Sequence, residues 1–308
     1  MNWLWIGKRV LALAIAAACV WAIAGALRGQ TFESLAAAFA QVPPVTLLVA
    51  GVLVAINFSL MGIMETLALR DAGVRLTPGR TVLSAFVGNA LSIAAGLGPI
   101  SGAGVRAGLF RAWGVPAQAA AVTAVSVTLI SLSGGATLAA IGLILQPSAM
   151  AAAYGVPEPI LRGCGVGFIV VLIGVMVLAG RKRTAFTLWG VNLSAPSAGG
   201  VLVRLTLGAI DWMISANILY VFLSFAENWA PLSFVTTFAT SHFAGMAAGA
   251  PAGLGVFDAL MLHAGAVETN PAQLAAALFL YRLVGYATPA LIALIPYLAL
   301  SQRTAAVR

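Results

Sequence analysis

Charge is what this sequence has least of. Only 8% of its 308 residues are Asp, Glu, Lys or Arg, where a water-soluble domain carries about 25%. A chain so poor in charge cannot cover its surface with polar groups, which excludes a soluble globular fold. Histidine and cysteine are also scarce. His242 and His263 are too few and too far apart to build a metal site, and no metal-ligand or Ser-His-Asp spacing stands out. Cys19 and Cys164 lie inside apolar segments, where they read as free thiols packed as small hydrophobes and not as a disulfide framework. The phosphate-cradling pattern GxxxxGK[ST] is missing, which argues against ATP-driven work by this chain. No cofactor is expected.

What the sequence does have is long apolar runs: Val45 to Leu69, Ala117 to Leu145, Ile160 to Ala179, Val203 to Phe225 and Ala272 to Leu300. Each is near the roughly 20 residues that cross a bilayer as a helix. A further run, residues 10–27, follows Lys8 and Arg9. It ends on small residues, but it is long for a cleaved leader and reads as the first span. The net charge of +8 does not imply nucleic acid, because the basic residues sit in short clusters between the runs. Their placement reports orientation. Lys8, Arg9, Arg70, Arg75, Arg80, Arg111, the Arg181–Lys182–Arg183 cluster, Arg303 and Arg308 all fall on one side if the chain is threaded with both termini cytoplasmic. The loops QPSAMAAAYGVPEP and HAGAVETNPAQ, without Lys or Arg, then fall outside. Arg28 and Arg162 are exceptions. The expectation is a multi-pass protein of a bacterial inner membrane.

That threading requires two interrupted apolar segments, 82–113 and 234–264, to turn back as re-entrant hairpins or to cross as paired short spans. The charge pattern does not separate these. The segments resemble each other. Pro99 is followed by Gly102, Gly104, Val105 and Arg106, and Pro251 by Gly253, Gly255, Val256, Phe257 and Asp258, so a charge stands seven residues after each proline. Each segment follows a spanning run and precedes one that opens on PAQ and alanines. The expected fold is an all-α polytopic membrane protein, a single domain of about six spanning helices plus two broken re-entrant helical hairpins arranged as inverted-topology repeats. Repeat 1 covers 43–145 with hairpin 82–113, the linking helix covers 160–180, and repeat 2 covers 203–300 with hairpin 234–264. In such folds the binding site lies near the midplane, where helices are interrupted. Irregular backbone at that depth is tolerated only where buried or lining a cavity.

A charge at the bilayer centre costs about 2.5–3.5 kcal/mol, so Arg106, Asp211, Asp258 and Arg282 each need a partner or a cavity. Arg106 and Asp258 follow glycine-rich breaks and are expected on the first turns of half-helices, whose free N–H groups favour an anion. Pro99 and Pro251 would make the breaks. Gly102, Gly104, Gly253 and Gly255 would let a ligand approach the backbone. Arg106 either holds a lipid phosphate or snorkels to the interface. Asp258 caps its helix, pairs with Arg282 or holds an amine. Arg282 is expected to pair with Asp258 or Asp211. Glu65, close in sequence to Arg70 and Asp71, reads as interfacial. Asn57 and Asn89 read as hydrogen-bonding glue between helices, and His242 as an interhelical histidine or a proton relay. Trp3, Trp5, Trp189 and Trp229 fit an interfacial belt.

PAGLGVFDALML also resembles the Pro-Gly-Gly-Leu-Gly-Val-Phe-Glu signature of the transmembrane, flippase-type domain of bacterial lysylphosphatidylglycerol synthases and their stand-alone relatives. GPISGAGVRAGLF is similar to that family's Gly-x-Gly-x-Arg element. AIDWMISANILYVFL and YRLVGYATPALIAL are similar to its helix before the second signature and to its final helix. Ala252 and Asp258 stand where the family has glycine and glutamate. The resemblance implies a lipid flippase or lipid transporter with a midplane headgroup site, a phospholipid headgroup and membrane lipid as partners, and no nucleic acid. It implies no enzyme, because the aminoacyl-transfer domain of the bifunctional members has no counterpart in this sequence. A small polar solute transporter and an intramembrane lipid-modifying enzyme using Asp211, Asp258 and His242 are the alternatives. Lipid identity, driving force and homo-oligomer formation are left open.

Overall fold

The computed structural model describes residues 32–95, 99–181, 185–188, 191–194, 196–223, 229–248, 255–266 and 268–305. The expected first span at 10–27 lies outside these residues, as do Pro251, Gly253, Cys19, Trp3, Trp5 and Trp189.

Five helices among the described residues are long and apolar enough to cross a membrane. They are α2 (Pro44–Asp71), α5 (Ala117–Leu145), α7 (Glu158–Arg181), α8 (Ala198–Tyr220) and the last span, built from α11 (Pro271–Arg282) and α12 (Thr288–Ala305). Proline opens α2 and α11, at the position where its missing N–H costs nothing. The short helices α1 (Phe32–Ala40) and α6 (Ser148–Tyr154) lie beside the spans. The last span is irregular: a π turn, Leu283–Ala287, joins its two halves. In the linker after α7, β1 (Ala185–Leu188) and β2 (Val191–Ser194) form an antiparallel ribbon with Ala185 opposite Ser194. This ribbon was not expected, and it leaves the fold class unchanged.

Each interrupted segment forms two helices that pack on each other. The first pair is α3 (Pro78–Ala95) and α4 (Pro99–Ala112); the second is α9 (Pro231–Ala247) and α10 (Val256–Gly265). At 18, 14, 17 and 10 residues, their lengths are about 27, 21, 26 and 15 Å. All fall short of a hydrocarbon core of about 30 Å. Both hairpins start a few residues earlier than expected, because proline at 78 and at 231 opens the helix.

The contacts exchange between the two halves. Hairpin helix α3 packs on α12, the end of the last span, while α9 packs on α5, the span that closes the first half. The leading spans α2 and α8 lie side by side and run antiparallel. The end of α2 meets the start of α8 through Asp71 and Arg204, 2.6 Å apart, and Asn57 touches Asp211 at their middles. The tightest crossing is between α5 and α8, where a methyl on Gly134 or Gly208 would run into the other helix's backbone. Helix α7 is peripheral, with Val170 and Val171 more than 60% exposed, and Cys164 lies on its exposed surface. Trp229 departs from the interfacial expectation. It is buried, with its ring edge-on to Phe234, because the hairpin start folds it under α9.

Candidate functional site

Three polar clusters sit inside this apolar frame. The first joins α2, α3 and α4. Arg106 is 2% exposed and Glu65 is fully buried. The guanidinium donates from Nη2 to Glu65 Oε2 at 2.6 Å and from Nε to Oε1 at 2.9 Å. It also donates to Asn89 Oδ1 at 3.2 Å and to the Gly102 carbonyl at 3.4 Å. Ser84 donates to Glu65 Oε1 at 2.6 Å. Gly88 and Gly102 make the slot: a Cβ on either would crowd the Arg106 guanidinium.

Three sequence expectations change here. Glu65 is not interfacial; it is the counter-ion of Arg106, because α2 turns it inward next to Ser84. Arg106 lies two turns into α4, which starts at Pro99 itself, so it is not on a first turn. Its guanidinium faces Glu65, Asn89 and the Gly102 carbonyl, and it does not snorkel. Gly102 serves the arginine, and Gly104 has no atom within 4 Å of where a Cβ would stand.

Next to this pair, toward the end of α2, lies a cleft of about 400 Å³ lined by Thr66, Arg70, Arg75 and Thr81 with Leu69, Val74 and Leu76. Its charge is positive.

The second cluster joins α10 to the last span. Arg282 donates from Nε to Asp258 Oδ1 at 3.0 Å and from Nη2 to Oδ2 at 2.7 Å. This is the two-pronged fork that a guanidinium offers a carboxylate. Asp258 is on the first turn of α10, as expected, and accepts from the Gly255 N–H at 3.0 Å. Gly255 has φ 82°, a backbone state that glycine adopts without strain. The same offset from proline therefore places Arg106 and Asp258 differently, because α4 begins on its proline and α10 begins only after Gly255. Unlike the sealed first pair, Arg282 and Asp258 are 20% and 16% exposed. Arg282 immediately precedes the π turn, and such turns are frequent at functional sites. Phe257 and Tyr286 flank its guanidinium, each ring centroid just under 6 Å away.

The third cluster is centred on Asp211, which sequence reasoning had offered as a partner for Arg282. The structure gives Arg282 to Asp258. Asp211 instead accepts from Asn57 Nδ2 at 2.9 Å and from Ser131 Oγ at 2.7 Å. Trp212 Nε1 donates to the same Ser131 oxygen at 3.0 Å. Ser131 carried no signal of its own; the neighbouring Gly134–Gly135 pair was the usable hint, since small residues mark close helix crossings. Between the second and third clusters stands an aromatic wall. His242 lies 5.5 Å from Trp212, centroid to centroid. Its Nε2 is 3.2 Å from Tyr286 Oη, which is 3.0 Å from Tyr281 Oη. His242 is thus the interhelical histidine that was expected.

A family model described as "Lysylphosphatidylglycerol synthase TM region" matches residues 9–293. The chain is similar to uncharacterized protein slr0712 of Synechocystis sp., at 25% identity over 290 residues, covering 92% of this chain and 90% of the relative. It is also similar to inner membrane protein YbhN of Escherichia coli, at 27% identity over 267 residues, covering 86% of this chain and 83% of the relative.

Proposed function

We propose that this chain, which belongs to the lysylphosphatidylglycerol synthase TM region family, moves a phospholipid with a polar headgroup between leaflets. The observation that carries the reading is the Arg282–Asp258 fork. It sits about midway along the last span, where a broken hairpin meets a π turn, and it is partly exposed. An isolated charge at that depth is costly. A forked pair that a ligand can reach offers a zwitterion both of its counter-charges: Arg282 for a phosphate and Asp258 for an amine. The bound headgroup would exchange one ion pair for two, while its acyl tails stay in lipid.

The architecture supports the same reading. The antiparallel leading spans and the hairpins that pack on each other's closing spans are what two inverted units rocking about a shared centre require. The basic cleft at Arg70 and Arg75 would collect headgroups on the side where the positive charges cluster. The similarity to YbhN supports placement in a bacterial inner membrane, and the clustering of Lys and Arg supports cytoplasmic termini. The chain acts as a transporter and not as an enzyme on this reading, with lipid as its ligand.

The test uses purified full chain in phosphatidylethanolamine–phosphatidylglycerol vesicles carrying a trace of phosphatidylethanolamine fluorescently labelled on an acyl chain, which leaves both its phosphate and its amine free. A membrane-impermeant reductant bleaches only outward-facing label. Transport predicts bleaching well past the outer-leaflet share, and slower bleaching in R282A and D258A. Bleaching that stops at the outer leaflet in the wild type would reject the reading. A small solute entering such vesicles would point to the other transporter class.

A further inference from the structure

Asp211 has a property that the headgroup site does not use. It is a 2% exposed carboxylate with two side-chain donors and, among the described residues, no ion pair. Among the described residues, the arginines nearest it in the fold are committed elsewhere: Arg106 to Glu65, Arg204 to Asp71, and Arg282 to Asp258. It lies at the middle of its span, and so do its two partners. Asp211, Asn57 and Ser131 each fall near the midpoint of α8, α2 and α5, so the cluster marks the centre of the membrane.

We infer that Asp211 is a reversible proton site that couples lipid movement to a proton gradient, an inference that rests on the transport reading above. The geometry supplies three reasons. An ionised carboxylate buried without a cation is strongly disfavoured, and neutralisation by a proton relieves it. The network accepts either state without moving a heavy atom. Ser131 is a hydroxyl rotor that donates to a carboxylate and can accept from a carboxylic acid, while Asn57 and Trp212 keep donating. A metal cation fits poorly, because Asn57 and Ser131 already aim donors at the two carboxylate oxygens. The Gly134–Gly208 contact, one turn away, also holds α5 and α8 closed.

The position suits coupling. Asn57 and Ser131 belong to the first half of the chain and Asp211 to the second, so any rocking of one half on the other changes the hydrogen bonds that Asp211 receives. The groups that face it are few. Helix α5 has no titratable side chain, and α2 brings Glu65, already paired. The ionisable groups of α7 lie at its ends. Helix α9 brings His242, whose ring meets Trp212 edge-on beside Asp211. The last span brings Tyr281, Tyr286 and Arg282, whose side chains meet one another. Ser131, Trp212, His242 and Tyr286 thus form a chain of contacts from the proton site to the Arg282–Asp258 fork. The step is a simple one: a proton adds to the carboxylate from one side and leaves to the other.

Two measurements on the same proteoliposomes decide it. Infrared difference spectra between acid and alkaline pH report protonated carboxyls directly. A carboxylic-acid carbonyl band that titrates in the wild type, is lost in D211N and shifts its midpoint in S131A is expected. The absence of any band that D211N removes would overturn the proton site, whether or not lipid moves. The second measurement is the leaflet distribution of the acyl-labelled phosphatidylethanolamine under a pH gradient of one unit. For one proton per lipid the wild-type ratio shifts by up to about tenfold, and the D211N ratio ignores the gradient. A wild type that moves lipid with a ratio indifferent to the gradient would overturn the coupling alone. A wild type that moves no lipid at all would remove the transport reading and the coupling with it, leaving the infrared result to judge the proton site.

Discussion

Removing one member of the Glu65–Arg106 pair should damage the protein more than removing both. The pair is sealed, with 2% or less of either side chain exposed. Breaking such a pair costs about 3–5 kcal/mol, whereas replacing both members with apolar groups of similar size is often neutral or stabilising. At about 1.4 kcal/mol per factor of ten, the single loss corresponds to roughly two to three and a half powers of ten in the unfolding equilibrium. The two single variants should also differ. In R106M the stranded Glu65 keeps the Ser84 hydroxyl and can take up a proton. In E65L the stranded Arg106 keeps only Asn89 and the Gly102 carbonyl, and a guanidinium does not deprotonate. The expected order of stability is therefore R106M/E65L above R106M, and R106M above E65L. Heating the detergent-solubilised variants and measuring the surviving monodisperse peak by size-exclusion chromatography gives the order. A double variant as unstable as E65L would refute the reasoning, because the loss would then come from packing volume and not from an uncompensated charge.

Two more predictions concern the frame. G134A and G208A each push a methyl into the facing helix's backbone and should cost about 1–3 kcal/mol as overpacking, while G104A, with open space around it, should melt like the wild type. Thermal unfolding of the three variants checks this. In a cysteine-free background, a cysteine placed at Ser148 should react with a membrane-impermeant maleimide on intact cells, and one placed at Arg111 only after the membrane is opened. Labelling of both from the same side would remove the proposed orientation.

Most of the frame was legible because lipid imposes it. A spanning helix needs a run of about 20 apolar residues, and the runs at 45–69, 117–145, 160–179, 203–225 and 272–300 coincide with five helices to within a few residues. The hairpins were legible from the glycine and proline that break them. The Asp258–Arg282 pair came from charge scarcity, since few other partners at that depth were available. Glu65 was misread because sequence distance put it beside Arg70 and Asp71. Its spacing from Asn57 was the better guide, as residues eight apart share a helix face. The Asn57–Asp211–Ser131 cluster was not legible. Its members are 154 and 80 residues apart, two are uncharged, and only the antiparallel crossing of three spans brings them together. The two helix starts, at Pro99 and after Gly255, also needed coordinates, because a proline–glycine break does not say which residue opens the next helix.

The distribution of charge connects these observations. Among the described residues, the four membrane-embedded charges outside α8 cancel in two pairs, Glu65 with Arg106 and Asp258 with Arg282. One pair is sealed within the first half, and the other is open at the second hairpin. A half that moves with its pair intact carries no net charge through the low-dielectric interior, so these pairs put little electrostatic resistance in the way of rocking. Asp211 is the exception. It sits where the halves meet, and an ionised Asp211 would lose its donors, Asn57 and Ser131, whenever the halves part. A carboxylate stripped of donors in that environment is costly, whereas a carboxylic acid loses far less. On the proposed coupling, protonation would lower the barrier to parting and deprotonation would favour the closed contact. The same three hydrogen-bonding residues that hold the halves together in one state would release them in the other.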